Sequence, residues 1–384
     1  MRPSRYCRCL RRCVFLLAGV VTVPAAFLVL AGAGGGGGGG PGRPHLRKNI
    51  YESTHPGSLE QIFTSVSAVH ETHRMSGANT ETQNESANDA TGYWMAEVEA
   101  RMVQRRRHLR QTCAMLGLDA PGNDSLHRPN PWEFLVNRPH RLVWCNVFKA
   151  ASTSWMYNFN VLAGYSPKFL RSSKLVPLNL ARRRYPRPSL RALRAALNDS
   201  IAFLIVRHPL ERLLSAYRDK IQFSLPHTLH QKLGNEIILR YRKKKIKGKS
   251  GSKNPRWPTF SEFVQYLVDV QRRGDPFDMH WTPITHFCTP CQVDFDIIMK
   301  FETLQEDQNY LIHHAGLQEI IQPEWKNPAK GRTTSELVSS YYSQLTTEQI
   351  LQLYDIYRYD FELFGYTLDG YLELGMTEPS SVTT

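Results

Sequence analysis

Two short segments carry the residue types that bind anions, and the first lies between positions 143 and 155. An apolar run leads into a lysine, two small residues and three hydroxyl residues, after which the pattern is helical: Phe148, Lys149, Ala150, Ala151, Ser152, Thr153 and Ser154. A strand, a tight loop and a helix in this order direct backbone N–H groups towards a phosphate. The lysine opens the loop and flanking glycines are missing, so this is not a Walker A loop. Taken alone, a Ser/Thr cluster before a helix is more often an N-cap.

The second segment follows the continuous apolar run 201–206, which is typical of a buried parallel strand. Its candidate residues are Arg207, His208, Pro209, Leu210, Glu211, Arg212, Leu213, Leu214 and Ser215. Pro209 suits the first turn of a helix, which leaves Arg207 at the carboxyl end of the strand, where α/β sheets bind ligands. A surface arginine and a helix-face serine are the alternative for this segment alone. Two such strand–loop–helix units together indicate one ligand with two anionic ends.

The elements that position these residues alternate along the chain. We predict strands at 141–147, 201–206 and 295–301, and helices at 95–118, 190–197, 260–270 and 347–364. This alternation predicts an α/β domain with a central parallel sheet flanked by helices. The basic tract 240–253 has little apolar content and is predicted to be a loop or a helix end.

The first 33 residues have the pattern of a membrane anchor. Residues 1–12 contain five arginines and no acidic residue, and residues 13–33 are apolar or small except Thr22. This length is about enough for a helix to cross a bilayer, and the arginines keep the N-terminus cytosolic. A cleaved signal peptide is the alternative, but its apolar region is usually shorter. We therefore predict an uncleaved signal anchor.

The predicted organisation has five parts: a cytoplasmic tail (1–12), a transmembrane signal anchor (13–33), a flexible stem (34–100), a lumenal domain (101–375) and a tail (376–384). A glycine run at 34–40 and a polar composition up to about residue 100 favour a largely disordered stem. Three Asn-x-Ser sequons, at Asn84, Asn123 and Asn198, predict at least one glycosylated site on a translocated chain.

The net charge of the chain suggests what kind of molecule it binds. The formal net charge is +14, and hydrophobic residues make up 41% of the chain, which is enough to bury a core. Such an excess of positive charge suggests a polyanionic partner: nucleic acid, an anionic membrane or an acidic polysaccharide. A solvated surface is the alternative, and charge alone does not choose among these. The basic tract 240–253 would be typical of a nucleic-acid signal elsewhere, but the membrane anchor excludes that interpretation. Acceptor binding and a solvated loop stay open for this tract.

The two segments at 148–155 and 207–217 resemble the two cofactor motifs of Golgi carbohydrate sulfotransferases. The chain is most similar to the group of chondroitin 4-O-, dermatan 4-O-, GalNAc 4-O- and HNK-1 sulfotransferases. Further matching segments are 276–281, 288–291, 300–307 and 353–366. The family loop usually has proline where this chain has Phe148, and the chondroitin enzymes commonly have a cysteine where it has Ser152. The Ser/Thr/Ser triplet also resembles the loop of the uronyl 2-O-sulfotransferase.

The resemblance implies a P-loop-like sulfotransferase domain that uses 3′-phosphoadenylyl sulfate (PAPS) and no metal. The first motif resembles the site for the 5′-phosphosulfate and the second the site for the 3′-phosphate. Sulfuryl transfer resembles phosphoryl transfer, in which the protein mainly positions groups and neutralises charge. We expect Lys149 to neutralise the leaving oxygen, and Arg207 and Ser215 to hold the 3′-phosphate.

The acceptor hydroxyl needs a base, and two residues compete for this role. His280 lies in the matching segment 276–281, and a histidine accepts a proton near neutral pH. Glu302 follows a predicted strand, and a carboxylate could do the same work. A helix-capping or ion-paired Glu302 is an equal alternative. We predict His280 as the base.

Four cysteines lie in the predicted lumenal domain: Cys113, Cys145, Cys288 and Cys291. The pair at 288 and 291 could be half of a zinc site, but Cys113 and Cys145 are not spaced as the second half. In an oxidising lumen, disulfide bonds are the simpler interpretation of these four cysteines. We expect Cys288–Cys291 and Cys113–Cys145, although four cysteines allow three pairings.

The sequence therefore predicts a single-pass type II Golgi membrane enzyme. Its predicted reaction transfers sulfate from PAPS to a glycan hydroxyl. The acceptor that we favour is the 4-hydroxyl of GalNAc in chondroitin or dermatan. The alternatives are another position or glycan, such as a uronic acid or the HNK-1 type, and an inactive relative that only binds glycans.

Overall fold

The computed structural model describes residues 80–242, 255–322 and 333–376, with side chains from residue 92 onwards. Its strands are β1 (Phe134–Asn137), β2 (Leu142–Cys145), β3 (Ile201–Val206) and β4 (Ile297–Lys300). Its helices are α1 (Thr80–Met115), α2 (Ser152–Leu162), α3 (Pro167–Ser172), α4 (Pro177–Arg184), α5 (Leu190–Leu197), α6 (Pro209–Ala216), α7 (Leu229–Tyr241), α8 (Phe260–Arg273), α9 (Ile284–Cys288), α10 (Leu304–His314), α11 (Thr334–Tyr342) and α12 (Thr347–Phe364). A π-helical turn covers Tyr217–Gln222, and short 3-10 turns cover Phe301–Thr303 and Leu372–Leu374.

The sheet has the order β1-β2-β3-β4 and is mixed. The pairs β2–β3 and β3–β4 are parallel, as predicted, whereas β1 pairs antiparallel with β2. The prediction of a wholly parallel sheet was therefore wrong at the edge formed by β1. Only residues 138–141 join β1 to β2, and a connection this short allows an antiparallel hairpin but no parallel crossover.

The elements that carry the two candidate segments form where the sequence predicts them. Strand β3 and helix α12 have the predicted bounds, and α6 begins with Pro209 in its first turn. Helix α12 is fixed at both ends, by a capping box at Thr346 and by Gly365 in the left-handed region with φ 60°. Helix α1 covers most of the predicted helix 95–118 but begins at Thr80, inside the range predicted as stem.

Aromatic packing fixes α2 on the sheet. Every residue of β2 is buried, and Trp144 of this strand stacks on Phe203 of β3 with 6.2 Å between ring centroids. Trp155 and Phe159 of α2 pack on these two rings. Burying an aromatic side chain of this size stabilises the fold by about 1.5–3 kcal/mol. The loop between β2 and α2 is therefore held at both ends by core contacts.

A second core lies under α6, α8 and α12. Leu210, Leu213 and Leu214 of α6 are buried there together with Phe263 of α8 and Leu353 of α12. Helices α8 and α12 thus fix the axis of α6, so the residues at its N-terminus have a defined position at the carboxyl edge of β3.

The disulfide pairing differs from the expected one. Cys113 bonds to Cys291 and Cys145 bonds to Cys288, so both expected pairs were wrong. Helix α9 ends at Cys288, and Thr289 takes the left-handed conformation with φ 40°. The two cysteines that flank this turn therefore reach different neighbours, one β2 and the other α1. The bonds tie both elements to the segment 288–291.

Several predictions concern residues that the structure describes only in part or not at all. Within the described residues, no helix combines the length and the apolar character needed to span a membrane. The predicted anchor 13–33 and most of the basic tract lie outside them. Asn123 and Asn198 are exposed, and Asn84 lies in α1. Glycosylation of these sites stays a prediction.

Candidate active site

The first loop has a conformation that resembles a glycine-containing loop, although it contains no glycine. Lys149 and Ala151 both adopt left-handed backbone conformations, with φ 70° and 55°. Non-glycine residues pay about 1 kcal/mol or more for this conformation, and such residues cluster at functional sites. The N-cap of α2 is Ala151, which provides no side-chain hydrogen bond. The N-cap interpretation of the hydroxyl cluster was therefore wrong, since Ser152 already belongs to the helix.

The second loop lies against the first because β2 and β3 are parallel neighbours. Arg207 is 5% exposed, and its guanidinium donates to the carbonyl oxygen of Lys149 at 3.3 Å and to Glu211 at 3.1 Å. Its flat face covers the ring of Phe301 at 4.1 Å. The two predicted segments thus form one site, joined by an arginine.

One face of α6 continues the site along the helix. Glu211 and Ser215 follow Arg207 at intervals of four residues, which places them on the same side of the helix. Glu211 also accepts a hydrogen bond from Ser335 at 2.9 Å. The leucines of α6 point the other way into the core, so they position the helix.

Arg212 has a different position from Arg207. It is fully buried, and it donates to the carbonyl oxygen of Thr282 at 2.6 Å, with longer bonds to those of His280 at 3.4 Å and Phe148 at 3.5 Å. These acceptors belong to the first loop and to the segment that carries His280. Arg212 therefore connects the first loop with the predicted base through three backbone oxygens.

The ammonium of Lys149 is paired with a residue that the sequence analysis did not identify. Its Nζ lies 2.9 Å from Asp219 Oδ2, in the π-helical turn after α6. Burial lowers the pKa of Lys149, although Asp219 opposes this shift. Asp219 lies four residues after Ser215, so the four-residue spacing from Arg207 onwards was a signal that could have found it. Turns with π geometry are frequent at functional sites.

His280 lies beside the first loop and is paired with a carboxylate. Its ring centroid is 5.0 Å from that of Phe148, and its Nδ1 lies 2.6 Å from Asp278 Oδ1. His230 of α7 contacts the other oxygen of Asp278 at 3.2 Å. Burial lowers the pKa of His280, while Asp278 opposes this effect. Burial alone would raise the pKa of Asp278, but hydrogen bonds with both histidines outweigh it and lower this pKa.

No sequence pattern marks His230, which lies 50 residues before His280 in the chain. One ligand atom from each of His230, Asp278 and His280 lies within 4.8 Å of the other two, which is close enough for a metal ion. Hydrogen bonds between Asp278 and the two imidazole rings account for the same geometry without an ion.

Glu302 has two structural partners at the second loop. One oxygen accepts the backbone N–H of His208 at 2.8 Å, and the other accepts the hydroxyl of Tyr366 at 2.9 Å. His208 is the N-cap of α6, and its ring stacks on Tyr371. These contacts support the capping interpretation of Glu302 over the catalytic one.

Comparison with known proteins decides the family. A profile described as the Sulfotransferase family matches residues 132–367, which include both loops and His280. The chain belongs to the sulfotransferase family. The predicted family and class of enzyme are thereby confirmed.

This sulfotransferase is 33% identical over 252 residues to carbohydrate sulfotransferase 11 of Rattus norvegicus, covering 64% of this chain and 70% of the relative. It is 32% identical over 273 residues to carbohydrate sulfotransferase 8 of Mus musculus, covering 69% and 63% respectively. It is 33% identical over 312 residues to carbohydrate sulfotransferase 14 of Danio rerio, covering 77% and 79%. No solved structure gives a significant match.

Membership of this family implies PAPS as the sulfate donor. The site suits a ligand with two anionic ends. At one end are Lys149 and the N-terminus of α2, whose first N–H groups have no acceptor within the helix. At the other end is Arg207, whose buried Nε has no hydrogen-bond partner among the described residues.

Proposed function

We propose that this sulfotransferase transfers sulfate from PAPS to a hydroxyl of a glycan, namely the 4-hydroxyl of GalNAc in chondroitin or dermatan. One observation supports this proposal above the others: an anion-binding loop, a buried arginine and a carboxylate-paired histidine are joined at one edge of the sheet. The names of the relatives, carbohydrate sulfotransferases 11, 8 and 14, support a glycan acceptor. The resemblance to the 4-O enzymes supports the position.

In this proposal, His280 removes the proton of the acceptor hydroxyl. Asp278 lies at Nδ1 and holds the proton there, which leaves Nε2 to accept the proton from the hydroxyl. A carboxylate that orients a histidine in this way also stabilises the imidazolium that forms. The acceptor oxygen then forms its bond to sulfur as the bond from sulfur to the phosphate oxygen breaks. General bases of this kind contribute about 10²–10⁴-fold in rate.

Lys149 neutralises the negative charge that develops on the phosphate oxygen as that bond breaks. Its ammonium pairs with Asp219 in this structure, and it exchanges this partner for the leaving oxygen. The backbone N–H groups and hydroxyls of Ser152, Thr153 and Ser154 bind the 5′-phosphate. Arg207 and Ser215 bind the 3′-phosphate, and the arginine fork supplies two donors to it.

The test is transfer of labelled sulfate by a secreted form that begins near Tyr93. Desulfated chondroitin, dermatan and heparosan are offered in parallel with PAPS labelled with ³⁵S, beside a Lys149→Ala control. We expect label in chondroitin or dermatan that the control lacks, and disaccharide analysis that places it on carbon 4. Label only in heparosan would move the acceptor to a uronyl or heparan type. A protein that binds no cofactor would contradict the whole proposal.

We also propose that the enzyme is a single-pass type II protein of the Golgi membrane with its catalytic domain in the lumen. The basic residues 1–12 and the apolar residues 13–33 support this orientation. The test is protease protection of intact Golgi vesicles that contain the full chain. We expect the catalytic domain to resist protease until detergent is added. Digestion without detergent would contradict the orientation.

A further inference from the structure

Large apolar side chains are exposed in the segment between the π-helical turn and α7. Phe223 is 58% exposed, and Leu225 and Leu229 are exposed as well. Trp257, which is 38% exposed, lies across from Phe223 with 6.4 Å between ring centroids. Leu225 and Leu229 follow Phe223 in the same segment, and we call this pair of rings with the two leucines the apolar patch. Single exposed apolar residues are ordinary, but a group of them on a soluble surface marks a binding site.

Both ends of the segment that carries the patch belong to the candidate active site. Asp219, four residues before Phe223, pairs with Lys149 at 2.9 Å. His230, directly after Leu229, contacts Asp278 at 3.2 Å. Four residues of extended chain span at most about 14 Å. The patch therefore borders the site in which the acceptor hydroxyl must lie.

Hydrogen bonds hold the chain in place beside both aromatic residues of the apolar patch. The hydroxyl of Tyr217 donates to the carbonyl oxygen of Pro258 at 2.7 Å, and Arg242 donates to that of Trp257 at 2.8 Å. On the other side, the hydroxyl of Tyr341 donates to Gln222 at 2.7 Å. A surface fixed in this way loses little conformational entropy when a ligand binds.

We propose that the apolar patch is an acceptor subsite that binds sugar rings next to the unit being sulfated. A pyranose ring has an apolar face of C–H groups, and an exposed aromatic ring offers a rigid apolar surface to it. This inference rests on the proposed function, because it requires a polymeric glycan acceptor. A polymer extends beyond the reacting hydroxyl, and binding of its remote units can hold the reacting unit in position.

Charge near the patch favours a polyanionic glycan over an uncharged one. Lys220 lies in the π-helical turn before Phe223, and the side chain of Arg240 in α7 is largely exposed. A chain of acidic sugars meets apolar and positively charged groups on this surface, so both parts of its structure are matched.

The test compares Phe223→Ala and Trp257→Ala with the unchanged enzyme on acceptors of increasing length. Truncation of one aromatic contact should lower kcat/KM for the polymer about tenfold through KM. The loss should shrink as the acceptor shortens to a disaccharide, which cannot reach the patch while it reacts. Phe223→Tyr should retain most of the activity. Leu239→Ala removes another exposed apolar side chain, from α7, and is the matched control.

Binding of the desulfated cofactor and binding of the polymer are each measured directly on the same variants. If no acceptor tested is sulfated, the proposed acceptor fails, whereas direct polymer binding that depends on Phe223 and Trp257 still supports the subsite. Equal losses at every acceptor length, or polymer binding that neither substitution changes, would overturn it. A change from dimer to monomer with unchanged kinetics would also overturn it, since the patch would then bind a second copy of this chain.

Discussion

The pair formed by Asp278 and His280 gives a prediction that a double-mutant cycle can test. Asp278 accepts from both Nδ1 and the backbone N–H of His280, at 2.6 and 2.9 Å. His280→Ala removes the proposed base, and Asp278→Asn keeps the size of the side chain but removes its charge. An asparagine can also donate to Nδ1, which would place the proton of the ring on the wrong nitrogen. The two residues should therefore act as one unit.

The expected size of the effect follows from this geometry. Loss of a general base lowers kcat by about 10²–10⁴-fold, which corresponds to about 2.7–5.4 kcal/mol in activation free energy. Asp278→Asn should reach the lower part of this range, because the hydrogen bond of 2.6 Å is charge-assisted. The double variant should be no slower than His280→Ala, since the carboxylate acts only through the ring.

The assay is steady-state sulfate transfer at saturating PAPS, with cofactor affinity and thermal unfolding measured for each variant. His313→Ala, in α10, is the control histidine substitution, and we expect unchanged kcat for it. If the two residues acted independently, the fold-losses in kcat of the two single variants would multiply in the double variant. That result, or a His280→Ala enzyme with more than about a third of the normal kcat, would refute the assignment of the base.

Four further predictions test other parts of the site and fold. Lys149→Ala should lower kcat about 10²–10³-fold in transfer assays, as loss of a transition-state donor does. Because burial lowers the pKa of His280, kcat/KM should fall only below the usual histidine pKa of about 6.5, as the base gains its proton; a pH profile checks this. Replacing Cys145 and Cys288 by serine should lower the free energy of unfolding by roughly 2–5 kcal/mol in denaturant titrations, and non-reducing peptide maps should show this pair. Glu302→Gln should lower stability by about 1–3 kcal/mol with little change in kcat, whereas a catalytic Glu302 would show the reverse.

Local sequence patterns predicted the elements of the site because those elements depend on local physics. The apolar run of β3 is short and continuous, which is typical of a buried parallel strand, and Pro209 suits the first turn of α6. The carboxyl ends of parallel neighbouring strands meet at one edge of the sheet, so Lys149 and Arg207 had to lie close together.

The remaining features depend on contacts between distant parts of the chain. Periodicity gives no information on which cysteine faces which, and the left-handed turn at Thr289 separates Cys288 from Cys291. His230 reaches Asp278 only because α7 folds back onto the site, and nothing in its neighbours in the chain marks it. The antiparallel edge strand β1 was not predicted, and its pairing with β2 is what defines it as a strand.

The contacts of two arginines explain why the two motifs form a pair. The left-handed residues of the first loop cost free energy, and that cost must be offset by contacts that hold the loop. Those contacts come from the second motif, since Arg207 and Arg212 donate to the carbonyl oxygens of Lys149 and Phe148. Arg212 also binds the carbonyl oxygen of His280. The second motif therefore holds both the first loop and the segment of His280, which we propose as the base, and it also carries Arg207, which we propose to bind the 3′-phosphate.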